Sequence, residues 1–311
     1  GKKICLANDT YIAINLSPSR ERKQGTMMRC VVCGTPTVAG LSAWHSICPA
    51  CGYEGAALQP TINEADAHTR LNEADREAGL KAIRQENFRT IVGHAARLAP
   101  AATTLLDVGS AHGWFLEAAA ARFQALGLEP DTAVAAGAAA RGLPVRNGYF
   151  PGALRDGERF DVIVFNDVIE HIPDIRAALA ACRERLNPDG VLILNLPSSA
   201  GLFYRLAKLF ARAGWRAPFE RLWQKGLPSP HVHYFRPSNL TTLAESEGFA
   251  LALSAELPAV RADGLMARLR CAGTTSAPAL YANYAAVMLA LPVLRAFPSD
   301  IVVCAYRKRP A

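Results

Sequence analysis

Between Thr103 and Pro197 short apolar runs alternate with longer segments whose apolar residues recur at helical intervals. "TTLLDV" (103–108) reads as a strand and "GWFLEAAAARF" (113–123) as a helix. "ALGLE" (125–129) is a second strand, and "DTAVAAGAAARG" (131–142) a helix opened by Asp131 and stopped by Gly142. "LPVRN" (143–147), "FDVIVFN" (160–166) and "GVLILNLP" (190–197) give three further strands, with "IRAALAACRERL" (175–186) as the helix between the last two. Strands alternating with helices predict a parallel sheet covered by helices on both faces.

The flanks are less regular. Residues 61–99 are charged and helix-like, placing Leu80, Ile83, Phe88, Ile91, Val92 and Leu98 at roughly helical spacing before Pro100 ends the segment. Downstream, 237–248 reads as a helix, "ALALSAE" (250–256) as a strand and "DIVVCAY" (300–306) as a closing strand. Residues 201–226 and 261–298 break the alternation and are expected to be helical insertions. The chain thus divides into an extension over 1–27 expected to be disordered, a cysteine-rich module over 28–58, and an α/β domain over 59–311.

Composition refines this picture only slightly. Half of the 311 residues are apolar and a fifth are charged, as in ordinary globular proteins. The net charge of +7 favours anionic partners without choosing among them. The apolar stretch from Tyr11 to Leu16 is short and holds Asn15, unlike a signal peptide. No stretch reaches the roughly 18 uninterrupted apolar residues of a spanning helix. A cytoplasmic location is expected.

Four of the eight cysteines form a pattern, Cys30-Val-Val-Cys33-Gly and Cys48-Pro-Ala-Cys51-Gly. Two C-x-x-C pairs joined by a short segment suit tetrahedral thiolate coordination of one structural zinc ion, with Cys30, Cys33, Cys48 and Cys51 as its ligands. The stretch resembles a zinc ribbon whose knuckles are "CVVCG" and "CPACGYEG".

The candidate chemistry gathers at strand ends. "LLDVGSAHGWF" (105–115) passes from a strand through Gly109 and Gly113 into a helix. Its G-x-A-x-G spacing lacks the third glycine of a dinucleotide turn, and Asp107 at its mouth would repel a pyrophosphate yet suit a cationic ligand. Glu129 ends the next strand, where a carboxylate takes the hydroxyls of an adenosine ribose. Asn166 and Asp167 end the strand within "FDVIVFNDVIEHIPD", and "LNPDGVLIL" turns into the following one.

In these pieces the chain resembles the class I S-adenosylmethionine-dependent methyltransferases, over about residues 75–256 and again at the strand 300–306. "EHI" and "HVHYFRPSNLTTLAESEGF" make it similar to the ubiquinone-biosynthesis-like and related small-molecule members. The resemblance implies a Rossmann-like, seven-stranded, mostly parallel sheet with an antiparallel last strand, and S-adenosylmethionine as cofactor. It implies that Gly109, Ser110 and Gly113 line the methionine part, that Asp107 stands behind its amino group, and that Glu129 holds the ribose. Asn166, Asp167 and Val168 would flank the transferring methyl. Ala111 stands where the family has a middle glycine, and Asn147 or Tyr149 is left to serve near the adenine.

Methyl transfer from a sulfonium is an in-line displacement that needs positioning, and a base where the acceptor loses a proton. His171, His231 and His233 are the candidate bases. His231 and His233, at i and i+2, could with Glu170 also take a metal, as in catechol-type O-methylation. The insertion 201–226 carries Arg205, Lys208, Arg212, Arg216, Arg221 and Lys225 among apolar residues at helical spacing. That is a lid packed on the core, or a surface for peripheral contact with anionic lipid. The reading that follows is methylation of a small-molecule acceptor at oxygen or carbon, on a sugar, quinone-type or lipid-linked compound. The alternative is a zinc-ribbon RNA methyltransferase. Against nucleic acid, Asn166-Asp167-Val168-Ile169 lacks the aromatic that stacks a target base. A third reading, a non-enzymatic ribbon adaptor, sits poorly with the retained Asp107, Glu129 and Asp167.

Overall fold

The structure is a computed structural model that describes residues 28–60, 73–262, 265–271 and 276–310. The expected disorder of 1–27 and the first part of the leading segment, 61–72, lie outside the described residues.

Among the described residues three short strands come first: β1 (Val38–Ala39), β2 (His45–Ile47) and β3 (Glu54–Ala56). The long helix α1 (Glu73–Leu98) follows, then β4 (Thr104–Val108), α2 (Trp114–Ala119), β5 (Gln124–Glu129), α3 (Thr132–Ala140) and β6 (Val145–Asn147). Next come β7 (Phe160–Asn166), one 3-10 turn at Ile169–His171, α4 (Ile175–Arg185) and β8 (Leu186–Pro197). The first insertion forms α5 (Leu202–Arg212) and α6 (Ala217–Leu222), and β9 (His233–Tyr234) and α7 (Pro237–Ser246) follow it. The chain closes with β10 (Phe249–Leu257), α8 (Leu265–Cys271), α9 (Ala277–Leu294) and β11 (Ile301–Lys308).

Seven strands make the main sheet in the order β10-β11-β8-β7-β4-β5-β6. β4 pairs in parallel with β5 and β7, while β11 runs antiparallel between β8 and β10. The order reverses direction at β4, so the carboxyl ends of β4 and β7 open the crevice where such sheets take their ligands. Alternate residues explain the layering. Leu106, Ile163 and Leu192 face α4 and α7, and Leu105, Val162 and Ile193 face α1 and α2, in two separate buried clusters. Both faces are covered, which is why these strands read as unbroken apolar runs. Asp131 caps α3 by accepting from the amides of Ala133 and Val134, and Asp174 caps α4 through Ala177.

A second, four-stranded sheet runs β1-β2-β3-β9. Its last strand comes from residues 233–234, far along the chain, so the N-terminal module is sewn into the main domain. Cys30, Val32, Cys48 and Tyr53 belong to the same buried cluster as Ile172, Ile175, Phe235 and Leu240.

The insertions differ in burial. α5 turns Tyr204, Ala207 and Ala211 inward, whereas Phe203, Leu206, Leu209 and Phe210 are exposed, as is Trp215 just beyond it. Phe219 and Trp223 are fully buried against Trp44 and Tyr204. Interrupted by Asn283 and Pro292, α9 is nevertheless 18 residues long with a mean hydropathy of 1.5, which suffices in length and composition to cross a membrane. Only 11% of that window is buried, and Tyr281, Leu289 and Val293 face outward.

Candidate functional site

The crevice has two halves, and the first is built from neighbouring pieces of chain. After β4 the backbone turns so that the amides of Gly109 and Ser110 both reach the Leu128 carbonyl of β5, at 2.8 and 2.9 Å. Gly113 needs its missing side chain: φ is 75°, and a Cβ would stand 2.5 Å from Leu143. Ala111 adopts the same left-handed region with φ 44°, which is why a glycine is at home here. Glu129 fastens the turn, its carboxylate accepting from the amides of Ala111 and Asp131, each at 2.9 Å. Asp107 is buried and accepts from the Asn166 amide at 3.2 Å.

The electrostatics of this half favour a cation. Burial pushes the Asp107 carboxyl up to about 7, with only the Asn166 contact opposing it. Burial raises Glu129 to about 8, and the nearby Asp131 and Asp107 add to the shift. Two carboxyl groups that cannot shed their protons comfortably gain most from an ammonium or sulfonium placed between them. Ser110 Oγ, Asn166 Oδ1, Asn195 Oδ1 and Ser199 Oγ are buried without hydrogen-bond partners among the described residues. Asn166 and Asn195 are paired neighbours at the ends of β7 and β8. Such atoms are ones that a polar ligand or a water would satisfy.

The second half is assembled from distant segments. Beyond β7, Asp167 is held at φ 54°, a strained conformation for a side-chain-bearing residue. The 3-10 turn that follows points Glu170 and His171 inward, and Val232 donates its amide to the Glu170 carbonyl at 2.9 Å. His171 uses Nδ1 to donate to the Pro230 carbonyl at 3.0 Å. His231 directs Nδ1 at the Tyr234 hydroxyl, 3.3 Å away, which itself donates to the Leu222 carbonyl. Both imidazoles therefore present the lone pair of Nε2. Each Nε2 lies 4.0 Å from Glu170 Oε1, and the two rings stand edge to face with centroids 4.7 Å apart. Neither Nε2 nor either Glu170 oxygen has a hydrogen-bond partner among the described residues.

Burial drives His171 down to about 4 and His231 well below its ordinary value, so both rings are neutral at pH 7. Burial and the charge of Asp167 raise Glu170 far above the usual carboxylate range. The donor atoms of Glu170, His171 and His231 all lie within 4.8 Å of one another. Two neutral imidazoles with free Nε2 atoms and one carboxyl group, sealed from water, could together hold a divalent cation.

The structure thus brings together Asp107, Gly109, Ser110, Gly113, Glu129, Asn166, Asp167 and Val168 at one strand-end crevice, and puts His171 and His231 beside it. His233 is a correction. Its Nδ1 meets the Tyr53 hydroxyl at 2.5 Å and its Nε2 the Ile172 carbonyl at 2.9 Å, leaving no nitrogen to take a proton from an acceptor. Asn147 braces the chain, its amide nitrogen donating to the carbonyls of Glu129 and Pro130 while its Oδ1 accepts from Thr132. Glu170 is the residue that sequence reasoning left in a supporting part. Its signal was a charged side chain one turn beyond Asp167, in an otherwise apolar stretch. Arg84, on α1, was missed; its guanidinium stands 4.0 Å from Asp167.

The cysteines converge as their spacing predicts. Cys30 and Cys51 sulfurs are 3.5 Å apart, as are those of Cys33 and Cys48, and all four fall within 4.8 Å. A disulfide needs about 2.05 Å, whereas four sulfurs about 2.3 Å from one ion stand somewhat under 4 Å apart.

Residues 74–253, more than half of the chain, match a family model described as a methyltransferase domain. The ubiquinone biosynthesis O-methyltransferase of Paramagnetospirillum magneticum is 31% identical over 156 residues, 48% of this chain and 59% of that protein. The Cereibacter sphaeroides protein of the same name is 37% identical over 105 residues, 29% of this chain and 40% of the relative. The chain thus spans about half the length of these curated relatives. A solved S-adenosylmethionine-dependent methyltransferase from Thermotoga maritima superposes with a TM-score of 0.50 at 18% identity, covering 76% of this chain and 95% of that one.

Proposed function

The chain belongs to the S-adenosylmethionine-dependent methyltransferases, and on that premise we propose that it methylates a hydroxyl of a small-molecule acceptor. The observation that carries this reading is the sealed convergence of Glu170, His171 and His231 just beyond the end of β7, the parallel neighbour of β4. Asp107 and Glu129 hold the cofactor by its amino group and ribose, and Asn166 and Asp167 border its methyl end. The cofactor supplies an electrophilic methyl when bound, and this chain's residues would position an acceptor hydroxyl and take up its proton. The neutral imidazole of His171 or His231, beside the buried Glu170 carboxyl, would accept that proton. Glu170, His171 and His231 would also hold a divalent cation, which supplies a lowered hydroxyl pKa when bound.

Zinc on Cys30, Cys33, Cys48 and Cys51 is part of the same proposal, in a structural role, since four protein ligands leave no open position. The names of the relatives make a quinone-type phenol the first acceptor to try. A lipid-linked acceptor fits the exposed apolar side chains of α5, which carries Arg205 and Arg212, and those of α9. These would rest on an anionic membrane surface.

Incubating cell extracts with methyl-labelled cofactor and the purified chain tests the proposal. Label in an extractable small molecule, absent with a Glu170→Gln chain, is the expected outcome. Label in RNA, with retention of RNA that falls steeply with salt, overturns it.

A further inference from the structure

The ribbon's sheet does not end inside the ribbon. β3 pairs with β9 through Glu54 opposite Tyr234 and Gly55 opposite His233, and the Ala56 amide reaches the Val232 carbonyl at 3.0 Å. β9 begins two residues after His231, so the strand that completes the ribbon also delivers a member of the buried cluster.

Each cysteine knuckle is also clamped to one of the helices that follow the two acceptor-side loops. Arg176, on α4 just beyond Glu170 and His171, donates to the carbonyls of Val31 and Val32 in the first knuckle, at 2.8 and 3.1 Å. Asn239, on α7 just beyond β9, donates to the Cys51 carbonyl in the second, at 3.3 Å. Between the knuckles and the loops stands Tyr53. Its hydroxyl bonds His233 Nδ1, and His233 Nε2 bonds the Ile172 carbonyl of the other loop. A third tie runs from Glu54, whose buried carboxylate takes His45 and Tyr204 on one oxygen and Lys208 on the other.

The two loops also touch one another directly, through Val232 to Glu170, His171 to Pro230 and Ser229, His233 to Ile172, and the edge-to-face rings of His171 and His231. The ribbon grips both. Strands of two or three residues have no stability of their own, and a module this small draws its folding energy from its metal. The cofactor turn is held elsewhere, by Leu128 and Glu129 of β5.

We propose that the ribbon is the positioning device of the acceptor side. With metal on its four sulfurs it would fix residues 169–174 against 229–236, and so set the geometry of Glu170, His171 and His231, while the cofactor turn stands without it. The proposal rests on the reading of the four cysteines as a metal site. Tyr53 and His233 are its positioning residues, acting through the backbone of both loops.

The test uses the full chain labelled with nitrogen-15 in its histidines. Metal content per chain is measured first; a chain purified under reducing conditions without any thiolate-bound metal overturns the metal reading, and the proposal with it. An organomercurial then displaces metal from sulfur. The expected result is that S-adenosylhomocysteine still binds within about threefold while the ring signals of His171, His231 and His233 move, and return once thiol and zinc are restored. Unmoved histidine signals overturn the proposal. Loss of S-adenosylhomocysteine binding in step with them also overturns it, because the ribbon would then support the whole domain. Tyr53→Phe supplies a milder probe that leaves every cysteine in place. It is expected to keep its zinc and its S-adenosylhomocysteine affinity, to move the His233 signals, and to lower methyl transfer about tenfold. Wild-type signals and turnover in that variant contradict the proposal.

Discussion

The two halves of the crevice are built by opposite strategies. The cofactor half is local: Asp107, the turn at 109–113 and Glu129 lie in one strand–helix–strand unit, joined mostly through backbone amides. The acceptor half draws Glu170 and His171 from one loop, His231 from another and its bracing from Tyr53 near the N-terminus. Their charges differ as well. Burial leaves the first half with carboxyl groups that resist ionising and the second with imidazoles that resist protonation. One half is prepared for a cationic ligand; the other keeps its imidazole lone pairs free at neutral pH, where a metal ion or an acceptor's proton would meet them.

Separability of the halves is the sharpest consequence. Glu170→Gln and His171→Ala are each expected to cut methyl transfer by on the order of 10²–10⁴-fold while S-adenosylhomocysteine binds as before in calorimetry. A parallel loss of binding would break the division. Glu129→Ala works from the other side, removing a carboxylate that fastens the turn and that the proposed reading assigns to the ribose. S-adenosylhomocysteine affinity should fall on the order of 100-fold, with turnover at saturating cofactor less affected.

A smaller effect comes from pH. Asp107 near 7 and Glu129 near 8 are partly protonated in the free protein at neutral pH. A bound ammonium favours their ionised forms, so binding releases protons and tightens as pH rises from about 6 to 8. Calorimetry in buffers of different ionisation heat reads that release, and proton uptake would contradict it. The stability signs differ between the halves. Glu129, raised in the folded state, contributes stability that is present below its unfolded value and lost as pH rises through about 8. His171, lowered in the folded state, contributes stability that is lost as pH falls from about 6.5 through about 4.

The smallest change is Ala111→Gly. It relieves a left-handed alanine but gives the unfolded chain more freedom, so the net gain is about 0.5–1 kcal/mol, seen as a modest rise in thermal midpoint. A loss of stability would mean that the alanine methyl packs more favourably than its backbone strains.

Much of the cofactor half was legible because its cause is local. The apolar run of β7, the glycines of the turn and the acids at two strand ends each carry their meaning within a few residues. The cysteine pairs announced a cluster for the same reason. The acceptor half was legible only in part. A two-residue strand such as β9 has no periodicity to read, and nothing near His233 signals that Tyr53 will occupy it. The outward turn of Phe203, Leu206 and Leu209 on α5 was equally hidden, because helical spacing gives a stripe but not what covers it.

By itself, then, the sequence determined the alternating strands and helices, the methyl-donor turn with its two acids, and the four sulfurs. Those follow from short-range sterics, side-chain period and ligand spacing. Only the tertiary structure decided that His171 and His231 meet at Glu170, that His233 turns away to the ribbon, and that the ribbon closes on β9. Each of those is a choice among partners more than fifty residues apart, made by which polar groups could be satisfied once the apolar faces were buried.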